Sequence, residues 1–200
     1  LQEFKRGVAQ VNAQSSADLV SDLYAVMGDI LHSKGEKDAA FAAYDSCLQW
    51  KDDNIMALNN YAYYMSEKGK DLHKAESMSY KTIKAEPNNS TYLDTYAWIL
   101  FMEERYADAK TYIDQALKNS DSTENNSTVI EHAGDIYAMN GMADKAVEFW
   151  KQAYVGDNKT AVLEWKINNK QYIREEDLQK KTVASTKPVS PKKKVSRKKK

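Results

Sequence analysis

Three histidines, one cysteine and a scatter of acids are the residues with which this chain could do chemistry. His32, His73 and His132 lie far apart and form no metal-ligand motif. Glu131 and His132 are adjacent, a spacing that sends two side chains to different faces of a helix. Cys47 is the single cysteine, which excludes a disulfide framework and a cysteine-rich metal centre. It stands at a small-residue packing position, so an inert buried thiol is expected rather than a nucleophile. The segment Asp121-Ser122-Thr123-Glu124-Asn125-Asn126 alternates oxygen ligands like a calcium loop. It lacks the central glycine and the terminal bidentate glutamate, and reads as a polar loop. Glycine-rich phosphate loops, dinucleotide fingerprints and nucleophile elbows are absent. The expectation is a chain with no cofactor, no metal site and no enzymatic activity.

The elements that would position these residues follow from composition and repetition. Two hundred residues amount to one or two domains, and 42% hydrophobic content suffices for a core. Seven glycines and three prolines are too few for a turn-rich sandwich or barrel. No apolar run reaches the length of a membrane-spanning helix.

Small residues recur. Gly28, Ala62, Ala97 and Gly134 are separated by 34, 35 and 37 residues. Gly28 is followed at offsets of 12 and 19 by Ala40 and Cys47, Ala97 by Ala109 and Ala116, and Gly134 by Ala146 and Ala153. Ala75 and Thr82 follow Ala62 one residue late. Seven residues after each anchor stand Gly35, Gly69, Glu104 and Gly141, where a helix-ending turn favours glycine. The large second-helix positions are Tyr44, Ser79, Ile113 and Trp150, and the turn formers Asp52, Pro87, Asp121 and Asn158 fall near the unit ends. The pattern predicts helix pairs with small residues where backbones approach. One pair cannot bury its apolar face alone, so neighbours must stack into a solenoid.

These residues resemble the tetratricopeptide-repeat pattern over residues 21–54, 55–89, 90–126 and 127–160. The match is fullest in Gly28/Ala40/Tyr44/Cys47 and Gly134/Ala146/Trp150/Ala153, and it departs at Ser79, Thr82 and Glu104. The runs Leu58–Tyr64 and Tyr92–Phe101 are similar to C-terminal repeat regions of Bacteroidetes proteins. The resemblance implies an all-α fold, a right-handed α-solenoid of stacked antiparallel helix pairs. Residues 1–16 would be the second helix of a truncated upstream repeat. Residues 161–178 would hold a capping helix, Val162, Leu163 and Trp165 covering the last repeat while Lys166, Asn168, Asn169 and Lys170 face water. The opening at Leu1 is read as the continuation of a longer protein whose targeting signal lies upstream, with the bacterial cell envelope favoured over the cytoplasm.

The resemblance also implies that the first helix of each pair lines a concave groove. By offset from each anchor, the expected ligand-binding residues are Asp22, Asp29, Met56, Asn59, Asn60, Tyr63, Asp94, Trp98, Phe101, Met102, Glu131, Asp135 and Met139. Glu67 occupies another such position. Acids make up the charged positions, with no lysine or arginine, and large apolar groups sit in the middle. Packing against a neighbouring repeat competes with groove exposure for Trp98 and Phe101. Some relatives clamp a C-terminal carboxylate with basic residues and asparagine. Asn60 fits, but Ala25, Asp29, Thr91 and Thr95 stand where the other partners would be, and an acidic groove repels a carboxylate.

Residues 179–200 hold ten bases and no acid, which leaves 19 bases against 29 acids in residues 1–178. This tail lacks apolar periodicity and is expected to be disordered. Two functions follow. The first is a non-catalytic interaction scaffold whose acidic, aromatic-lined groove binds a basic and apolar peptide segment of a partner protein. The alternative is an electrostatic anchor: Lys192, Lys193, Lys194, Arg197, Lys198, Lys199 and Lys200 bind nucleic acid or an anionic membrane while the repeats act as a spacer. Tethering also gives the tail access to the chain's own acidic face.

Overall fold

The computed structural model describes residues 1–12, 14–69, 71–120 and 126–185. The polar loop at 121–125 and the basic residues from Lys192 to Lys200 lie outside the described residues. A short helix α1 (Gln2–Val8) is followed by α2 (Ala17–Ser33), α3 (Lys37–Trp50), α4 (Ile55–Glu67) and α5 (Leu72–Ala85). Then come α6 (Ser90–Met102), α7 (Tyr106–Asn119), α8 (Ser127–Met139), α9 (Ala143–Ala153), α10 (Ala161–Asn169) and α11 (Glu175–Ser185). No strand occurs among the described residues. The chain is an all-α solenoid. Helices α2 and α3, α4 and α5, α6 and α7, and α8 and α9 form the four pairs.

Starts and stops repeat with the sequence period. Asn54 and Asn89 occupy equivalent caps, their side chains accepting from the N–H of Ala57 (3.1 Å) and Tyr92 (3.2 Å). The first helix of each pair ends at a left-handed residue: Gly35 (φ 78°), Gly69 (φ 60°), Glu104 (φ 62°) and Gly141 (φ 76°). At three of these ends the next N–H reaches back to the last turn, Glu36 to Leu31, Arg105 to Leu100 and Met142 to Tyr137, each at 2.9 Å. Glu104 keeps the turn without glycine, at a backbone cost of about 1 kcal/mol.

Within a pair, volume is exchanged across the contact. A methyl placed on Gly28 would lie 2.8 Å from the Tyr44 ring, and one on Gly134 only 2.3 Å from Trp150 Cδ1. Where the anchor is Ala62 or Ala97, the opposing position holds Ser79 or Ile113 instead. The acid after each glycine anchor receives the large side chain: the Tyr44 hydroxyl donates to Asp29, and Trp150 Nε1 donates to Asp135 at 2.8 Å.

Curvature follows from which helices meet. The first helices α2, α4, α6 and α8 touch in succession, while each second helix packs on its own partner and on the next first helix. The first-helix side is therefore the concave one.

The C-terminal end departs from the sequence reading. Lys166, expected to face water, is buried at 3% exposure, with Leu163 buried beside it. Trp165 and Val162 are only half-buried. Helix α11 carries regular structure through residue 185, seven residues into the stretch expected to be disordered. Its acid-rich first turn (Glu175, Glu176, Asp177) favours helix initiation. At the other end, α1 spans only seven residues and packs on α2.

Candidate functional site

Helices α4, α6 and α8 present Tyr63, Glu67, Trp98, Met102, Thr128, Glu131, His132 and Asp135 around one concavity of about 750 Å³. Its far wall is built by Thr160, Val162 and Lys166 and by the segment Tyr172–Glu176.

His132 stands at the floor. Its Nδ1 lies 3.0 Å from both oxygens of Asp94, and its ring stacks on Trp98 at 4.1 Å with 13° between planes. Burial opposes a charge on this imidazole, but Asp94, with Asp135 and Glu131 nearby, outweighs it and raises the pKa above the ordinary 6.5. The imidazolium then donates to Asp94 across the α6–α8 contact. Folding therefore takes up a proton here. The associated stability is complete below the unfolded value and is lost as pH rises through the elevated folded value. NMR titration of His132 should give a pKa above 6.5, and Asp94→Asn should lower it. A value at or below 6.5 in the parent chain would contradict this assignment.

A second buried pair closes the α10 side. Lys166 Nζ donates to Asp135 at 2.8 Å and to Glu131 at 3.0 Å. Burial works against the lysine charge, but the two carboxylates outweigh it, raise the pKa and keep the ammonium protonated. On α6 and α4, Trp98 Nε1 and Asn59 Oδ1 are buried with no hydrogen-bond partner among the described residues.

No family model matches the chain. A TPR repeat-containing protein of Pseudomonas aeruginosa is 31% identical over 83 residues, covering 42% of this chain and 13% of the relative. The uncharacterized protein ycf37 of Pyropia yezoensis is 36% identical over 73 residues. The chain spans 13% and 40% of the lengths of these two curated relatives. Among solved structures, YrrB, a TPR protein with an unusual peptide-binding site, matches with a TM-score of 0.58 at 20% identity, over 84% of this chain and 81% of that one. The chain has the tetratricopeptide-repeat fold. A tetratricopeptide repeat protein from Parabacteroides merdae matches with a TM-score of 0.65 at 17% identity, over 94% and 72% of the two chains.

Within this TPR solenoid the inward positions read from the sequence divide into four groups, with Asp135 both at the concavity and buried. Tyr63, Trp98, Met102, Glu131 and Asp135 meet at the concavity. Met56, Met139 and Asp22 are exposed elsewhere, and Asp22 accepts from Asn54 at 3.0 Å. Asn60 is half-buried and donates to Asp29 at 3.0 Å, which ties the first two repeats together.

Four of these residues are buried instead of offered to a ligand. Phe101, at 3% exposure, is stacked on Trp98 (4.9 Å) and meets Tyr172 edge-on at 5.1 Å. Asn59 is buried, and its side-chain amide turns to Asn60 Oδ1 at 3.2 Å. Asp94 and Asp135 are buried in the two ionic pairs already described. The groove is consequently less acidic than its list of acids suggests, since Lys166 neutralises two of them and Arg174 also lines the wall.

Lys166, Tyr172 and Arg174 carry no repeat-register signal and lie beyond the last repeat. Only the isolated apolar pair Tyr172-Ile173 in a polar stretch could have drawn attention to this segment.

Elsewhere the fold gathers His73, Glu76 and Glu103 within ligand distance of one another. Arg105 already donates to Glu76 at 2.7 Å and to Glu103 at 3.1 Å, which makes this an ionic network centred on a guanidinium. Cys47 is buried beside Ser21 at 3.1 Å, and burial pushes its thiol pKa up, away from thiolate chemistry.

Proposed function

We propose that the chain is a non-catalytic interaction scaffold whose concave face receives a segment of a partner protein. The observation that carries this reading is the concavity between α4, α6 and α8. It combines the aromatic side chains Tyr63 and Trp98 with Met102 and with Glu67, a half-exposed acid only 3.9 Å from the neutral-leaning His32. Aromatic and methionine side chains anchor a ligand by apolar contact, and cations are attracted both to aromatic faces and to the remaining acids. A matching segment offers apolar groups interspersed with lysine or arginine. Stacking of the repeats orders the face in advance and so reduces the entropy lost on binding. The His132–Asp94 pair acts in this reading as a fastener between two repeats.

The test uses immobilised full chain and two synthetic dodecamers. One alternates Lys with Leu and Tyr, and the other has Glu in place of each Lys. The basic peptide should bind more tightly, and part of its binding should survive at about 0.5 M salt, where exposed charges are screened. Trp98→Ala should weaken the salt-resistant part by about ten-fold or more. Equal affinity for both peptides, or a Trp98→Ala chain that binds as well as its parent, would refute the proposal.

A further inference from the structure

The concave face is not fully open, because part of the chain already lies on it. Helix α10 ends at Lys170, whose left-handed backbone (φ 55°) breaks the helix and redirects the chain. Residues 172–174 then run without regular secondary structure. Tyr172 meets Phe101 edge-on, and its ring also sits 5.4 Å from Lys166 Nζ. Ile173 is buried at 7% exposure. Both side chains line the same concavity as Tyr63, Trp98 and Met102. In α11, which follows, none of the described side chains is fully buried. The strap's apolar attachment to the concave face is carried by Tyr172, set on Phe101 of α6, and by the buried Ile173, while α11 adds Lys181 over the Trp165 ring at 4.8 Å.

We infer that Tyr172-Ile173-Arg174 is a built-in occupant of the partner site, and that the external partner presents the same chemistry. That chemistry is an extended stretch in which an aromatic and a branched aliphatic residue precede a basic one. This inference rests on the proposed function and narrows it. The physical argument is substitution. Phe101 is buried among Trp98 and Tyr106 of its own repeat and the chain's own Tyr172, which sits against it from beyond the repeats. A partner segment gains the same apolar contact only by displacing the strap. Tethering places the strap at an effective concentration in the millimolar range, so a weakly binding external segment is held off until its own contacts exceed those of the strap.

The probe is a fluorescently labelled peptide of residues 168–181, with a scrambled version as control. It is titrated into the full chain and into a full-length Tyr172→Ala/Ile173→Ala variant whose helical signal and cooperative melting are checked first. The peptide should bind the variant at least about ten-fold more tightly than it binds the parent. Adding Trp98→Ala or Phe101→Ala to the opened variant should remove that gain. Should the double substitution fail to fold, Tyr172→Ala alone, which removes the edge-on contact with Phe101 and keeps Ile173, replaces it in the same titration.

A folded, opened chain that binds the labelled peptide no better than the parent, or no better than the scrambled control, overturns the inference. The basic dodecamer is run in parallel to separate the two proposals. If it binds parent and opened chains equally while the strap peptide binds neither, the groove reading stands and the strap is only a cap. If it binds neither, the groove reading itself has failed.

Discussion

Replacing Gly134 by alanine is expected to destabilise the chain by about 2 kcal/mol, although alanine is the better helix former by about 1 kcal/mol. The new methyl would stand 2.3 Å from Trp150 Cδ1 and 2.4 Å from its Nε1, far inside van der Waals contact. Trp150 has no room to retreat. It is fully buried, and its N–H is held by Asp135 at 2.8 Å, so any rotation of the ring also strips a buried carboxylate of a donor. Urea denaturation checks the prediction. A double-mutant cycle with Trp150→Leu isolates its cause, because the methyl should be tolerated once the indole is gone, giving a coupling of about 1 kcal/mol or more. A Gly134→Ala chain as stable as its parent would show that the two helices separate easily, contrary to the packing described. The same substitution at Gly28 meets the outer end of the Tyr44 ring at 2.8 Å and should cost less.

Truncating Lys166 to alanine should cost about 3 kcal/mol, since it leaves Asp135 and Glu131 without their shared cation, and burial, which already raises the Asp135 pKa, then opposes its charge unchecked. Lys166 and Asp135 are both 3% exposed, so solvent does little to screen the pair. The companion change Lys166→Met with Asp135→Asn should recover most of the loss. It removes the Lys166 and Asp135 charges, leaves only the partly exposed Glu131 without its cation, and keeps an oxygen to accept from Trp150. An exposed pair provides the contrast: Arg6 and Glu3 lie 3.2 Å apart in solvent, and Arg6→Ala should change stability by no more than about 0.5 kcal/mol. Thermal and urea melts of the three variants decide the matter. A Lys166→Ala chain no weaker than Arg6→Ala would mean that water reaches the two acids.

The repeat was legible because its signal is local and recurs. Gly28, Ala62, Ala97 and Gly134 mark close approaches within a helix pair, and each pair is contiguous in sequence. The turn position was legible even at Glu104, where the residue type breaks the pattern. The register of its neighbours placed it, and the backbone there is left-handed as at the three glycines. The exchange of volume between Gly134 and Trp150, or between Gly28 and Tyr44, is also visible at a fixed offset once the pairing is known.

The site was legible only as a face. A 3.6-residue period states which side chains of α6 point inward, but not which of them stay uncovered. Trp98 and Phe101 look alike in that respect. They differ because Phe101 is packed against Tyr106 and against Tyr172, the latter contributed by a segment outside the repeats, while Trp98 lines the concavity. Charge was harder still to read. Asp94 and Asp135, read from the sequence as groove acids, are buried, and their partners are His132, on the first helix of the next repeat, and Lys166, on a helix beyond the last. Sequence period carries near-neighbour information, because backbone hydrogen bonds and the stacking of like units impose it at every turn. Ion pairing and covering of the concave face depend on distances between helices far apart in the chain, and those distances exist only after the solenoid has curved.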